Sequence, residues 1–137
     1  MDAGELGLRY LTTSARIRRT VDERMAASGV SLARTKILQV LAGLGPVKQT
    51  RLATELGMAA RSITQAVEAM ERDGLVERSA DAADKRAKVV SATPAGLTAL
   101  AAGEASGDAV LRSIFERLGP ARLEALDEIL EVLGEHD

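Results

Sequence analysis

Residues 49–74 read Gln49-Thr50-Arg51-Leu52-Ala53-Thr54-Glu55-Leu56-Gly57-Met58-Ala59-Ala60-Arg61-Ser62-Ile63-Thr64-Gln65-Ala66-Val67-Glu68-Ala69-Met70-Glu71-Arg72-Asp73-Gly74. Leu52, Ala53 and Leu56 are the apolar positions of a short helix over 49–56, which Gly57 breaks. Ile63, Ala66, Val67 and Met70 make the buried stripe of a second helix over 60–73, which Gly74 ends. Two helices that cross closely after a tight turn need three residue types at fixed places. The first helix needs a small residue at the crossing, here Ala53. The turn needs a residue that accepts positive φ, here Gly57. The second helix needs a branched apolar residue that packs back, here Ile63. These stand at relative positions one, five and eleven, the spacing of a helix-turn-helix. An ordinary helical hairpin with a glycine turn shares this pattern, so the flanking sequence decides between the two.

Downstream the texture changes. Leu75-Val76-Glu77-Arg78 and Ala87-Lys88-Val89-Val90-Ser91 have strand character, and the polar residues 79–86 between them read as a hairpin loop. Thr93-Pro94 starts a helix, with Thr as N-cap and Pro at its first position. This helix runs to about Leu118, although Gly103 and Gly107 weaken its middle by ~1 kcal/mol each relative to Ala. Gly119-Pro120 breaks the chain, and residues 121–134 form a last helix with Leu123, Leu126, Ile129, Leu130 and Leu133 as its stripe. Upstream, Leu6, Tyr10, Leu11, Ile17, Val21 and Met25 mark a long helix over 5–27, with Gly29 as its stop. Ser31 caps a helix over 32–42 whose Leu32, Ile37, Leu38 and Leu41 face inward. The expected fold is mainly α with a small β-hairpin wing: a winged helix-turn-helix flanked by N- and C-terminal helices.

Composition narrows the function classes. Hydrophobic residues are 46% of the 137, yet Tyr10 and Phe115 are the only aromatics, so base-stacking platforms for single strands are disfavoured. The absence of Cys removes disulfides, thiolate catalysis, Cys-based zinc sites and thiol redox switching. The one histidine, His136, stands next to the last residue, so no metal site and no cofactor are expected. No glycine-rich phosphate loop or Ser/His/Asp set is present, which argues against an enzyme. Asp2 and Glu5 precede any apolar run, unlike a secretory signal, and no stretch is apolar enough to span a bilayer, so a cytoplasmic protein with no membrane partner is expected.

The net charge of −2 hides an asymmetry. Residues 1–47 carry seven Lys/Arg against four Asp/Glu, residues 48–90 eight against seven, and residues 91–137 three against nine. The positive charge is local, and it falls where a DNA reader needs it. Arg61, Ser62, Thr64 and Gln65 lie on the N-terminal half of the second helix, and such side chains read base edges or bind phosphates in a major groove. Arg78, Lys85, Arg86 and Lys88 concentrate charge on the hairpin, suited to a minor groove or flanking phosphates. Asp84, two residues before Arg86, is placed to orient its guanidinium, although Asp81 and Asp84 also fit plain turn chemistry. A solvated helix face is the bland reading of the first set.

Taken together, Arg51-Leu52-Ala53, Gly57, Ala69 to Arg78, Asp84-Lys85-Arg86 and Thr93-Pro94-Ala95-Gly96 resemble the MarR family of bacterial transcription regulators. The resemblance spans roughly residues 5–134. It implies a division into an N-terminal dimerisation helix (1–30), a winged helix-turn-helix (31–92) and C-terminal dimerisation helices (93–137). It implies double-stranded DNA and a second copy of the chain as partners, with Arg86 as the wing arginine. It implies repression at a pseudo-palindromic operator, with release by a small anionic or phenolic ligand. A ligand pocket would lie between residues 9–20, residues 32–40 and the helix start at Pro94, with Arg9, Tyr10, Thr13 and Arg16 lining it and Arg16 pairing an anion. The alternative for these arginines is solvation or inter-subunit ion pairing. Three positions depart from the family pattern: Ala59 and Lys48 where hydroxyl or acidic caps are usual, and Ala92 where Leu is usual. A missing cap costs ~0.5–2 kcal/mol. The alternative function is a winged-helix module that binds protein rather than DNA, which the acidic C-terminal third favours.

Overall fold

The structure is a computed structural model, and it describes residues 1–135. His136 therefore lies outside the described residues. Helix α1 (Ala3–Ala27) starts where the Asp2 carboxylate accepts from Glu5 N–H at 2.9 Å. Helix α2 (Leu32–Leu44) starts at Ser31, whose hydroxyl accepts from Arg34 N–H at 3.1 Å. Strand β1 (Val47–Lys48) leads directly into α3 (Gln49–Leu56), followed by α4 (Ala60–Arg72). Strands β2 (Val76–Ala80) and β3 (Lys88–Ala92) form the wing. Helix α5 (Pro94–Phe115), a 3₁₀ turn at Glu116–Leu118 and α6 (Pro120–Gly134) complete the described chain.

Two differences from the sequence reading matter. The sheet has three antiparallel strands, in the order β1-β3-β2, and the added strand is two residues long. Val47 opposite Val90 and Lys48 opposite Val89 tie the base of the wing to the start of α3. The wing strands also extend further toward Ala80 and Ala92 than their apolar runs suggest, leaving a loop of residues 81–87.

The second difference concerns the glycines of α5. A Cβ at Gly96 would meet the Leu75 carbonyl oxygen, and one at Gly103 would meet Thr35 Oγ1. These glycines do weaken the helix as an isolated element, but they let it lie close to α2 and the α4–β2 connection. Thr93 strengthens the same junction. Its hydroxyl accepts from Gly96 N–H at 3.0 Å and donates to the Gly74 carbonyl at 2.6 Å.

The main core joins Ile37, Leu38 and Leu41 of α2 to Leu52 of α3, Ile63, Val67 and Met70 of α4, Val76 and Val90 of the sheet and Leu100 of α5. A smaller core sits between α1 and α5 around Val21, Met25 and Val110. Ile17 packs on it, but Leu6, Tyr10 and Leu11, further toward the α1 start, are exposed. Helix α6 has no buried residue, and Ile129, Leu130 and Val132 face outward. No described helix is long and apolar enough to cross a membrane.

Candidate nucleic-acid interface

The turn between α3 and α4 forms as its residue types dictate. Gly57 adopts φ 62° and ψ 32°, in the left-handed region open to glycine. Met58 N–H donates to the Ala53 carbonyl at 3.0 Å and closes the turn. Ala53 is buried at the crossing, and Ile63 is fully buried opposite it. Helix α4 turns Ile63, Val67 and Met70 inward at helical spacing, so Arg61, Ser62 and Gln65 are left exposed. None of these three makes a side-chain hydrogen bond or ion pair with a described residue. Ala59 and Lys48 precede α4 and α3 without a side-chain cap, as their side chains require.

Thr64 behaves differently from its neighbours. Its hydroxyl donates to the Ala60 carbonyl at 3.0 Å and accepts from Gln49 Nε2 at 2.8 Å. It is half-buried, and it links the start of α3 to the first turn of α4. Gln49 is a residue that sequence reasoning passed over, since nothing local points to a partner fifteen residues away.

The wing divides in the same manner. Arg78 is held within the protein. Its Nη2 lies 3.0 Å from Glu71 Oε1, its Nε donates to the same oxygen at 3.3 Å, and its Nη1 is 3.9 Å from Glu68. This hydrogen-bonded guanidinium holds the Glu71 carboxyl below the usual carboxylate range, against a smaller opposing effect of burial. Arg78 thus clips β2 to α4. Lys88 pairs across the ribbon from Ala80 on the face that Arg78 occupies, and it is exposed. At the tip, Lys85 is exposed and Arg86 is 97% exposed. Asp84 Oδ1 accepts from Arg86 N–H at 3.0 Å, while the guanidinium is at 3.8 Å. The carboxylate therefore shapes the turn first and steers the side chain only loosely. Asp81 closes the other side of the loop, accepting from Ala83 N–H at 3.2 Å.

A cleft of about 710 Å³ lies beside this unit, between α1, α2 and the end of α3. Leu11, Ser14, Arg18, Arg19 and Asp22 of α1 face Leu32 and Lys36 of α2, with Leu56 and Met58 at one end. The α1 residues differ from the four expected. Tyr10 and Thr13 line a separate apolar groove with Phe115, Leu126 and Ile129, and Arg9 and Arg16 line neither. Positions 11, 14, 18 and 22 form one helical stripe, and positions 9 and 16 fall on its back. Three cations and an apolar wall suit a small amphipathic anion.

Residues 30–88 match the model of the MarR family. No curated protein matches the chain in sequence. Among solved structures, a probable transcriptional regulator from Pseudomonas aeruginosa is 28% identical, with TM-score 0.77 over 93% of this chain and 96% of that one. A putative MarR-like transcription regulator from Bacillus cereus is 20% identical, with TM-score 0.85 over 96% and 95%. A mutant MarR from E. coli complexed with operator DNA is 18% identical, with TM-score 0.77 over 94% and 93%. The winged helix-turn-helix of residues 30–88 thus matches the MarR family, and the fold on both sides of it is similar to that of these solved regulators.

Proposed function

We propose that the protein is a sequence-specific DNA-binding repressor that acts as a homodimer on a pseudo-palindromic operator. One observation carries this reading. The outward face of α4 presents Arg61, Ser62 and Gln65, and the wing tip presents Lys85 and Arg86, all exposed. Polar and cationic side chains left exposed at a helix N-terminal half and a thin ribbon suit a groove lined by phosphates and base edges. The E. coli MarR mutant of similar fold is complexed with operator DNA, which supports DNA as the partner. Dimerisation through residues 1–30 and 93–137 is supported by the uncovered apolar faces of α1 and α6, since a face of that kind is rarely left to water. Release by a small anionic or phenolic ligand is supported by the cleft under Arg18, Arg19 and Lys36. Its Leu56 and Met58 wall flanks Gly57, so a filled cleft acts directly on the turn before α4. Two recognition helices then meet half-sites ~34 Å apart.

Selection of bound fragments from a genomic library, followed by anisotropy titration at several salt concentrations, tests this reading. The expected result is an inverted repeat, preferred over random duplex, with affinity falling steeply as salt rises. Binding that ignores salt, or that shows no preference for the repeat, rejects it in favour of a protein-binding module.

A further inference from the structure

The wing is joined to the rest of the sheet at one end. Strand β1 pairs with β3 at Val47–Val90 and Lys48–Val89, so toward the tip the ribbon is two-stranded. A two-stranded ribbon is marginal by itself in water and twists freely. Lys85 and Arg86 sit at its far end. One side-chain pair spans this weak stretch. Lys48 Nζ reaches past the central strand to Asp81 Oδ2 at 3.4 Å.

Neither Lys48 nor the second carboxylate oxygen of Asp81 has another side-chain partner among the described residues. Asp81 follows β2 directly and roots the loop, since its N–H donates to the Ala87 carbonyl at 3.0 Å and its Oδ1 accepts from Ala83 N–H. Its Oδ2 is buried and accepts no hydrogen bond from a described residue, and the side chain is 16% exposed. Lys48 occupies the N-cap position of α3, yet it offers that helix no cap. An exposed ion pair contributes little. Here the carboxylate oxygen is shielded, so loss of its cation leaves a poorly solvated charge with no donor.

We propose that Lys48 and Asp81 form a clamp that fixes the direction of the wing relative to α3, and through α3 relative to the recognition helix. They are positioning residues, and neither needs to touch DNA. The inference rests on the DNA-binding reading above, and the sign of one substitution separates it from simple electrostatics. By charge alone, Asp81→Asn removes a negative group beside Lys85 and Arg86 and tightens binding to a polyanion. A clamp gives the opposite result, because the tip cations lose their aim.

The test uses Asp81→Asn, Lys48→Met and their combination in the full chain, with a mixed-sequence DNA duplex at low salt as probe. Asn keeps the acceptor for Ala83 N–H, so the loop turn survives. Each single substitution is expected to weaken binding about tenfold, and the double no more than the weaker single. Independently of DNA, ¹⁵N relaxation of the free protein is expected to show order parameters of residues 82–87 falling from about 0.85 toward about 0.6. The conservative variant Lys48→Arg, which keeps the cation opposite Asp81, is expected to retain them, which separates loss of the clamp from loss of the fold. Tighter binding by Asp81→Asn, additive losses, or unchanged order parameters in the single variants overturn the proposal. Wild-type protein that binds no DNA rejects the functional reading, and the relaxation measurement then decides the clamp by itself.

Discussion

At the scale of single residues, the candidate interface separates exposed cations from one that is held by the packed helix. Arg61 and Arg86 are exposed at the helix start and the wing tip, and their contributions differ in kind. Arg61→Ala is expected to lose ~1–3 kcal/mol at one position of the operator and to relax specificity there. Arg86→Ala is expected to weaken all duplexes more evenly and to flatten the salt dependence by about one unit of slope. Titrations against the operator and its point variants check both. Arg78 belongs to a different class, because Glu71 and Glu68 already hold it. The Arg78–Glu71 pair also predicts a pH effect. The Glu71 carboxyl lies below its ordinary value when folded, so its contribution is complete above the unfolded pKa of about 4.3 and is lost as pH falls through the lower folded value. Melting curves should therefore show wild type more stable than Glu71→Gln at neutral pH, with the gap closing below about pH 4. A gap that widens on acidification contradicts the clip.

At the scale of elements, α5 shows how a helix with poor local propensity is required by its neighbours. Ala substitution at a helical glycine normally stabilises by ~1 kcal/mol. At Gly103 the new methyl would meet Thr35 Oγ1 and lie 3.1 Å from Val30 Cγ1, so Gly103→Ala is expected to destabilise by ~1–3 kcal/mol instead. Gly96→Ala should cost at least as much, since the obstacle is the Leu75 backbone carbonyl. Gly107→Ala meets Met25 Sδ at 3.3 Å and Cε at 3.5 Å, on a flexible side chain that yields. Gly107→Ala is therefore expected to be neutral or mildly stabilising. Denaturant melts of the three variants rank them, and an equal gain at all three removes the close-packing account. The helix boundaries around these positions were legible because Thr93-Pro94, Ser31 and Gly57 each satisfy or end a helix through their own chemistry. Strand β1 was not, since two residues are too few to show a period and its pairing partner lies over forty positions downstream.

At the scale of the whole molecule, the apolar residues of α6 and of the first half of α1 find no full cover among the described residues. Tyr10, Ile17, Phe115, Leu126 and Ile129 line one groove between them, and Ile129, Leu130 and Val132 face outward. A second copy is the occupant the functional proposal requires. Ile129→Glu is expected to shift the protein from dimer to monomer in sedimentation velocity and to abolish high-affinity operator binding, because two half-sites need two linked helices. A variant that remains dimeric and binds unchanged would place the seam elsewhere.

The amino-acid order alone determined the succession of helices, the glycine turn at 57, the two wing strands and the residues left facing away from the core on α4. Each depends on local chemistry: period, capping, or a φ that one residue type accepts. The tertiary structure decided which cations remain exposed. Arg78 and Lys88 look alike in sequence, yet Arg78 lies beside Glu71 and Glu68 of a packed helix and Lys88 stays exposed. It also decided that Thr64 is tied to Gln49, and that α1 turns Arg18 and Arg19 rather than Arg9 and Arg16 into the cleft. The physical reason is the same in each case. A side chain's partner is set by the element packed across from it, and that distance in space has no counterpart in local spacing.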